Sequence, residues 1–145
     1  MSKYHSKKLT TADGVFDSKI EITIPIQPVT KKNSQRLIRR GERIVPIPSA
    51  AYKEYEKCAA VFLSKYKGIA IDSPVNVKCL FYMPTHRRVD LTNLLEAIDD
   101  VLVVNGILSD DNSKIVASHD GSRVLYDKAH PRTEIEIREA EQMEE

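Results

Sequence analysis

Leu91, Leu94, Leu95, Ile98 and Leu102 recur at i, i+3, i+4, i+7 and i+11, with Asp90 before the run and Asn105-Gly106 after it. No other feature constrains the fold as much. The period puts the apolar side chains on one face of a helix from about Leu91 to Val104, with Asp90 as a cap and Gly106 as a stop. A one-faced helix needs an apolar surface to cover, and the flanking segments supply one. Val75, Val77, Cys79 and Phe81 alternate along Val75–Met83, opened by Pro74. Ile20, Ile22, Ile24 and Ile26 alternate along Lys19–Gln27. Alternation is the mark of a half-buried strand. Pro25 has no amide donor and belongs at a strand's end or a sheet edge.

The remaining segments fit the same plan. Ser49 is placed to cap a first helix running to about Tyr66, with Tyr55, Ala59, Phe62 and Tyr66 on its stripe and Gly68 as its stop. Arg36 to Val45 reads as a basic hairpin turning near Gly41. Lys114 to Tyr126 is strand-like, bulged or folded at Asp120-Gly121, and Thr133 to Arg138 forms a last strand. With 145 residues, 41% of them hydrophobic, the chain suits one core. The expected fold is α/β (α+β): a single small domain with a mixed sheet and two main helices. Residues 1–18 read as a flexible leader, 19–138 as the domain and 139–145 as an acidic tail.

No stretch approaches the roughly 18 apolar residues of a membrane span, and the start lacks an apolar signal core, so a cytoplasmic protein is expected. Cys58 and Cys79 lie in regular segments without a CxxC pair, which favours buried thiols over a disulfide or zinc site.

The net charge of +1 conceals an uneven distribution. Lys31, Lys32, Arg36, Arg39, Arg40 and Arg43 cluster against a single acid, Glu42. His86-Arg87-Arg88 forms a second basic group, and acids concentrate from Asp90 to Asp111. A basic arm beside an acidic centre suits a protein that attracts a polyanion and needs a cation to react with it. The chemistry then falls to Asp90, Asp110 and Asp111, at the two ends of the second helix. Such a helix spans about 21 Å, so Ile107 and Leu108 must carry the chain back for these carboxylates to share a metal. Phosphodiester hydrolysis calls for neutralised phosphate charge and an activated water, and Mg²⁺ held by one to three carboxylates supplies both. The same residues also read as a helix cap and a polar turn. Likewise, His119-Asp120-Gly121-Ser122 reads as a turn or bulge rather than a catalytic histidine, and His86 as a surface residue.

At these positions the chain resembles the RusA-type Holliday junction resolvases. That family carries Arg-Arg, then D-L-D-N-L opening a helix, then a Gly and an Asp-Asp pair. Here the run is Arg87-Arg88-Val89-Asp90-Leu91-Thr92-Asn93-Leu94-Leu95, followed by Gly106-Ile107-Leu108-Ser109-Asp110-Asp111. The family's proline-ended strand and Asn-containing loop match Ile24-Pro25-Ile26-Gln27-Pro28 and Lys31-Lys32-Asn33-Ser34. The resemblance spans Ile20 to Ile137. It implies a Mg²⁺-dependent endodeoxyribonuclease, with Mn²⁺ able to substitute, that acts as a homodimer on branched DNA and often accompanies phage genes. Asp90 and Asp111 correspond to metal-binding catalytic aspartates, with Asp110 beside them. Lys31, Lys32, Asn33, Arg36, Arg39, Arg40, Arg87, Arg88 and Lys114 are the expected DNA contacts.

Two departures matter. The family's second motif aspartate is Thr92 here, and its lysine is Glu96. Glu96 lies one helical turn beyond Thr92 and can supply the missing carboxylate, which makes it a candidate catalytic residue. The competing reading is a branched-DNA binding module that cuts poorly because of both changes.

Overall fold

The computed structural model describes residues 9–12, 14–16, 19–31, 35–48 and 50–140. In chain order its elements are β1 (Leu9–Thr11), β2 (Gly14–Phe16), β3 (Ile20–Ile24), β4 (Gln35–Arg40), β5 (Arg43–Pro48), α1 (Ala50–Leu63) and a 3₁₀ turn (Ser64–Tyr66). They continue with β6 (Val75–Met83), α2 (Leu91–Val104), β7 (Val116–Ser118), β8 (Arg123–Tyr126) and β9 (Arg132–Glu139).

The main sheet is built on β6. Antiparallel β9 lies on one side of it and pairs in turn with antiparallel β3. On the other side β7 and then β8 pair in parallel, returning after α2. This is the mixed sheet expected, and β1–β2 and β4–β5 form separate hairpins. Register aligns the buried residues in rows across three strands: Ile20–Ile137–Val77, Ile22–Ile135–Cys79 and Ile24–Thr133–Phe81. Every member of these rows is buried. Leu94, Ile98, Val101 and Leu102 of α2, with Tyr55, Ala59 and Leu63 of α1, join them in one core. Burying each large apolar side chain contributes roughly 1.5–3 kcal/mol, so this face dominates the fold's stability. The opposite face is polar. Glu21, Glu136 and Lys78 form one row there, and Arg132 pairs with Glu134 and Asp127 at 2.8 Å each while lying over the Tyr82 ring.

Sequence periodicity located these elements well. The strand Val75–Met83 and the helix Leu91–Val104 have the expected bounds, and Pro25 sits just beyond the end of β3. Cys79 is buried and Cys58 half-buried, and both are free thiols. Gly106, at φ +68°, is the left-handed stop of α2, and a side chain there would meet the backbone of Gly68 at 3.2 Å. Ser49 and the end of the acidic tail, 141–145, fall outside the described residues. No helix among the described residues is long and apolar enough to cross a membrane.

Within residues 1–18, read from the sequence as a loose leader, the described part carries two short strands. Over Leu9–Phe16 it forms the β1–β2 hairpin, with Leu9 only 1% exposed. The hairpin is tied to the segment before β6: Ala12 N–H donates to the Ile69 carbonyl, Thr10 N–H to Ser73 Oγ, and Asp72 N–H to the Thr10 carbonyl. Three residues are too few to show a period, so this pairing left no readable pattern. Leu9→Ala is expected to cost about 2–4 kcal/mol in chemical denaturation, the usual range for a buried leucine. A loss below about 0.5 kcal/mol would mean that the hairpin does not share the core.

Candidate active site

Asp90 is extended (φ −91°, ψ 117°) and caps α2. Its Oδ1 accepts from the Thr92 N–H at 3.1 Å and from the Thr92 hydroxyl at 2.7 Å. Thr92 therefore acts as a donor toward Asp90 rather than as a second carboxylate. The cap satisfies one of the unpaired amides of the first turn, which explains locally why an aspartate followed two residues on by a threonine starts a helix here.

Beyond α2 the chain turns back. Asn105 N–H donates to the Val101 carbonyl and Ile107 N–H to Leu102, and Ser109 N–H reaches the Ile71 carbonyl. Ile107 and Leu108 are buried along the way. The following turn is self-bonded: Asp110 Oδ1 accepts from the Asp111 N–H at 2.7 Å, and its Oδ2 accepts from the Asn112 amide at 3.1 Å. This return brings Asp111 against the side of α2. A cleft of about 240 Å³ is lined by Thr92, Leu95, Glu96 and Asp99 from one helical face, with Asp111 and His119 completing it. Larger depressions lie over the polar sheet face, lined by residues such as Glu21, Lys78, Glu134 and Glu136, where the three glutamates are paired with Lys19, Arg132 and Arg138.

The cleft is acidic. Asp111 is held above the usual aspartate value, first by partial loss of water, then by its contact with Asp110 and by the charges of Asp100 and Asp110. Asp100 is offset from outside, because Lys31 Nζ donates to its Oδ2 at 3.0 Å. Asp99 is 9% exposed, and its Oδ2 lies 2.9 Å from His119 Nε2. Its Oδ1 is buried with no hydrogen-bond partner among the described residues. His119 Nδ1 lies 2.8 Å from the Val77 carbonyl. The Asp99 contact, only partly opposed by burial, pushes the imidazole above its ordinary value.

The expected site residues are thus partly gathered. Glu96 and Asp111 line one cleft and Asp110 adjoins it, while Asp90 stands at the head of the helix just outside. No three His, Cys, Asp or Glu side chains among the described residues form a ready metal cage. The donor set still fits Mg²⁺, which takes one or two carboxylates and keeps several waters. Arg39, Arg40 and Arg43 are exposed at the tip of the β4–β5 hairpin. Arg87 and Arg88 are exposed just before Asp90, and Lys114 is exposed beyond Asp111. Lys31 serves Asp100, Arg36 lies in β4, and Lys32 and Asn33 fall outside the described residues. His86 stacks on Tyr126 at 3.9 Å between ring centroids.

Sequence reasoning passed over Asp99 and read His119 as part of a turn or bulge. One signal was available: Asp99 falls four residues after Leu95 and three before Leu102, so it shares their apolar stripe. A carboxylate on a buried stripe requires a partner, but only the fold could show which one.

The segment 25–138 matches the model of the family described as Endodeoxyribonuclease RusA. The Crossover junction endodeoxyribonuclease RusA of Aquifex aeolicus (strain VF5) is 30% identical over 94 residues, covering 64% of this chain and 72% of that protein.

The His119–Asp99 contact should make stability depend on pH. A histidine raised on folding contributes in full below its unfolded value of about 6.5, and the contribution fades as pH rises through the folded value. In thermal melts, wild type should exceed His119→Gln most below the unfolded value of about 6.5, and the gap should narrow as pH rises above it. A gap that widens with pH would contradict the protonated pair.

Proposed function

Because this chain belongs to the RusA endodeoxyribonuclease family, we propose that it resolves four-way DNA junctions by paired, symmetric nicks, in the cytoplasm, as a Mg²⁺-dependent homodimer. The observation that carries this reading is the return loop after α2, which sets Asp111 against the helix face bearing Thr92 and Glu96. Bound Mg²⁺ would supply charge neutralisation at the phosphate and activation of a water, with Mn²⁺ able to replace it.

The chain's own residues divide the remaining work. Asp90, Asp110 and Asp111 are the proposed metal ligands. Glu96, on the wall facing Asp111, contributes the carboxylate that Thr92 lacks. The exposed arginines Arg39, Arg40, Arg87 and Arg88 serve as phosphate contacts, which fix affinity and register without reading sequence. Lys114 can join them, whereas Lys31 acts through Asp100. A two-fold dimer places equivalent sites on the opposed strands of a junction that itself has approximate two-fold symmetry.

A synthetic four-way junction tests the reading. Wild type should nick it symmetrically only with Mg²⁺ or Mn²⁺. Asp90→Asn should slow cleavage by more than about tenfold, about 1.4 kcal/mol in barrier, while binding persists. Glu96→Gln should slow it by more than about threefold. Binding without cleavage by wild type would instead support the binding-module reading. Arg39→Ala with Arg40→Ala should lower the salt dependence of binding by up to about two ion equivalents, and an unchanged slope would place the hairpin off the DNA. Light scattering should give roughly twice the 16.4 kDa chain mass. A strict monomer, even on the junction, would remove the paired-nick mechanism.

A further inference from the structure

His119 stands between two acceptors. The Val77 carbonyl can only accept, so Nδ1, 2.8 Å away, carries a proton. At 2.9 Å from Nε2, an ionised Asp99 can also only accept, so a second proton lies between this nitrogen and Oδ2. With both protons in place the pair carries no net charge. Among the described residues the other carboxylate oxygen, Oδ1, is buried without a partner, and His119 alone of those lining the cleft can carry positive charge. Without it a buried carboxylate would stand uncompensated beside Glu96 and Asp111. Removing one partner of a buried pair is far more costly than removing both.

We propose that His119 is a positioning residue of this site, acting through Asp99. Pinned to β6 at Val77, it cancels the Asp99 charge and holds that carboxylate aside, so that a phosphate entering the cleft meets only the charges of Glu96 and Asp111. The inference rests on the nuclease reading above and adds to it a residue outside the motif positions. It differs from a purely structural strut in one respect: the charge of the pair matters, not its presence.

A charge-swap cycle separates the two. His119→Gln keeps an amide donor but leaves Asp99 uncompensated, whereas Asp99→Asn combined with His119→Gln is again neutral. Cleavage of a four-way junction with Mg²⁺, junction binding by gel shift without metal, and thermal unfolding are measured for wild type, both single variants and the double variant. His119→Gln should reduce the single-turnover cleavage rate by about tenfold or more, with the junction Kd changed less than about threefold. The double variant should recover to within about threefold of wild type. Wild-type cleavage by His119→Gln would overturn the inference, as would a double variant no faster than His119→Gln. If His119→Gln fails to fold, the double variant decides, since retained cutting supports charge cancellation and lost cutting refutes it. A wild-type protein that cuts no junction with either metal would refute the nuclease reading itself, and this inference with it.

Discussion

The structure depends on the burial of one face of β6 in a core shared with α1 and α2. Val75, Val77, Cys79 and Phe81 are fully buried, and the register of β9 and β3 extends them into rows of apolar residues. A slip of one residue in either pairing would turn Ile135 and Ile137, or Ile20, Ile22 and Ile24, to the polar face and bring glutamates inward. That penalty locks the register. With the sheet fixed, α2 has one place to lie, and the chain leaving it must return along it to pair β7 in parallel with β6. The turn carrying Asp110 and Asp111 belongs to that return, so the acidic cleft is a consequence of how the core closes.

The same closure creates an electrostatic problem. Asp99 and Asp100 are adjacent on a largely buried helix, with Glu96 one turn away and Asp111 opposite. The fold answers locally with two cations drawn from distant parts of the chain. Lys31, from the loop after β3, takes Asp100, and His119, from the turn between β7 and β8, takes Asp99. Both acids are thereby neutralised within the fold. Among the described residues Glu96 and Asp111 have no ion-pair partner inside the cleft, and partial loss of water, with Asp110 and Asp100 nearby, raises the affinity of Asp111 for a proton. A carboxylate in that state is suited to a cation.

Thr92 illustrates how a local contact can recast a motif position. Its hydroxyl and amide both bond Asp90 Oδ1, so a residue that departs from the family's aspartate reinforces the cap instead. The basic groups follow a different logic. Arg39, Arg40 and Arg43 of the hairpin and Arg87–Arg88 remain exposed, while Lys31, which belongs to the same run in the sequence, is paired with Asp100 inside the protein. Residues alike in charge and close in sequence thus stand in different surroundings, because Lys31 lies within reach of α2.

The sequence alone determined the elements whose pattern repeats often enough to show a period: α2 by its stripe from Leu91 to Leu102, β6 and β3 by alternation, and the fold class by their order. It also determined the motif positions Asp90, Asp110 and Asp111, since residue types at fixed spacing are visible without a fold. Tertiary structure decided what meets what. The β1–β2 hairpin packs Leu9 into the core although three residues carry no period. Asp99 meets His119 across twenty residues, and Asp111 lines one cleft with Glu96. Such contacts join elements distant in the chain, and they depend on strand order and register. Periodicity reports which face of an element is buried, whereas the partner on that face is set by the packing of the whole domain.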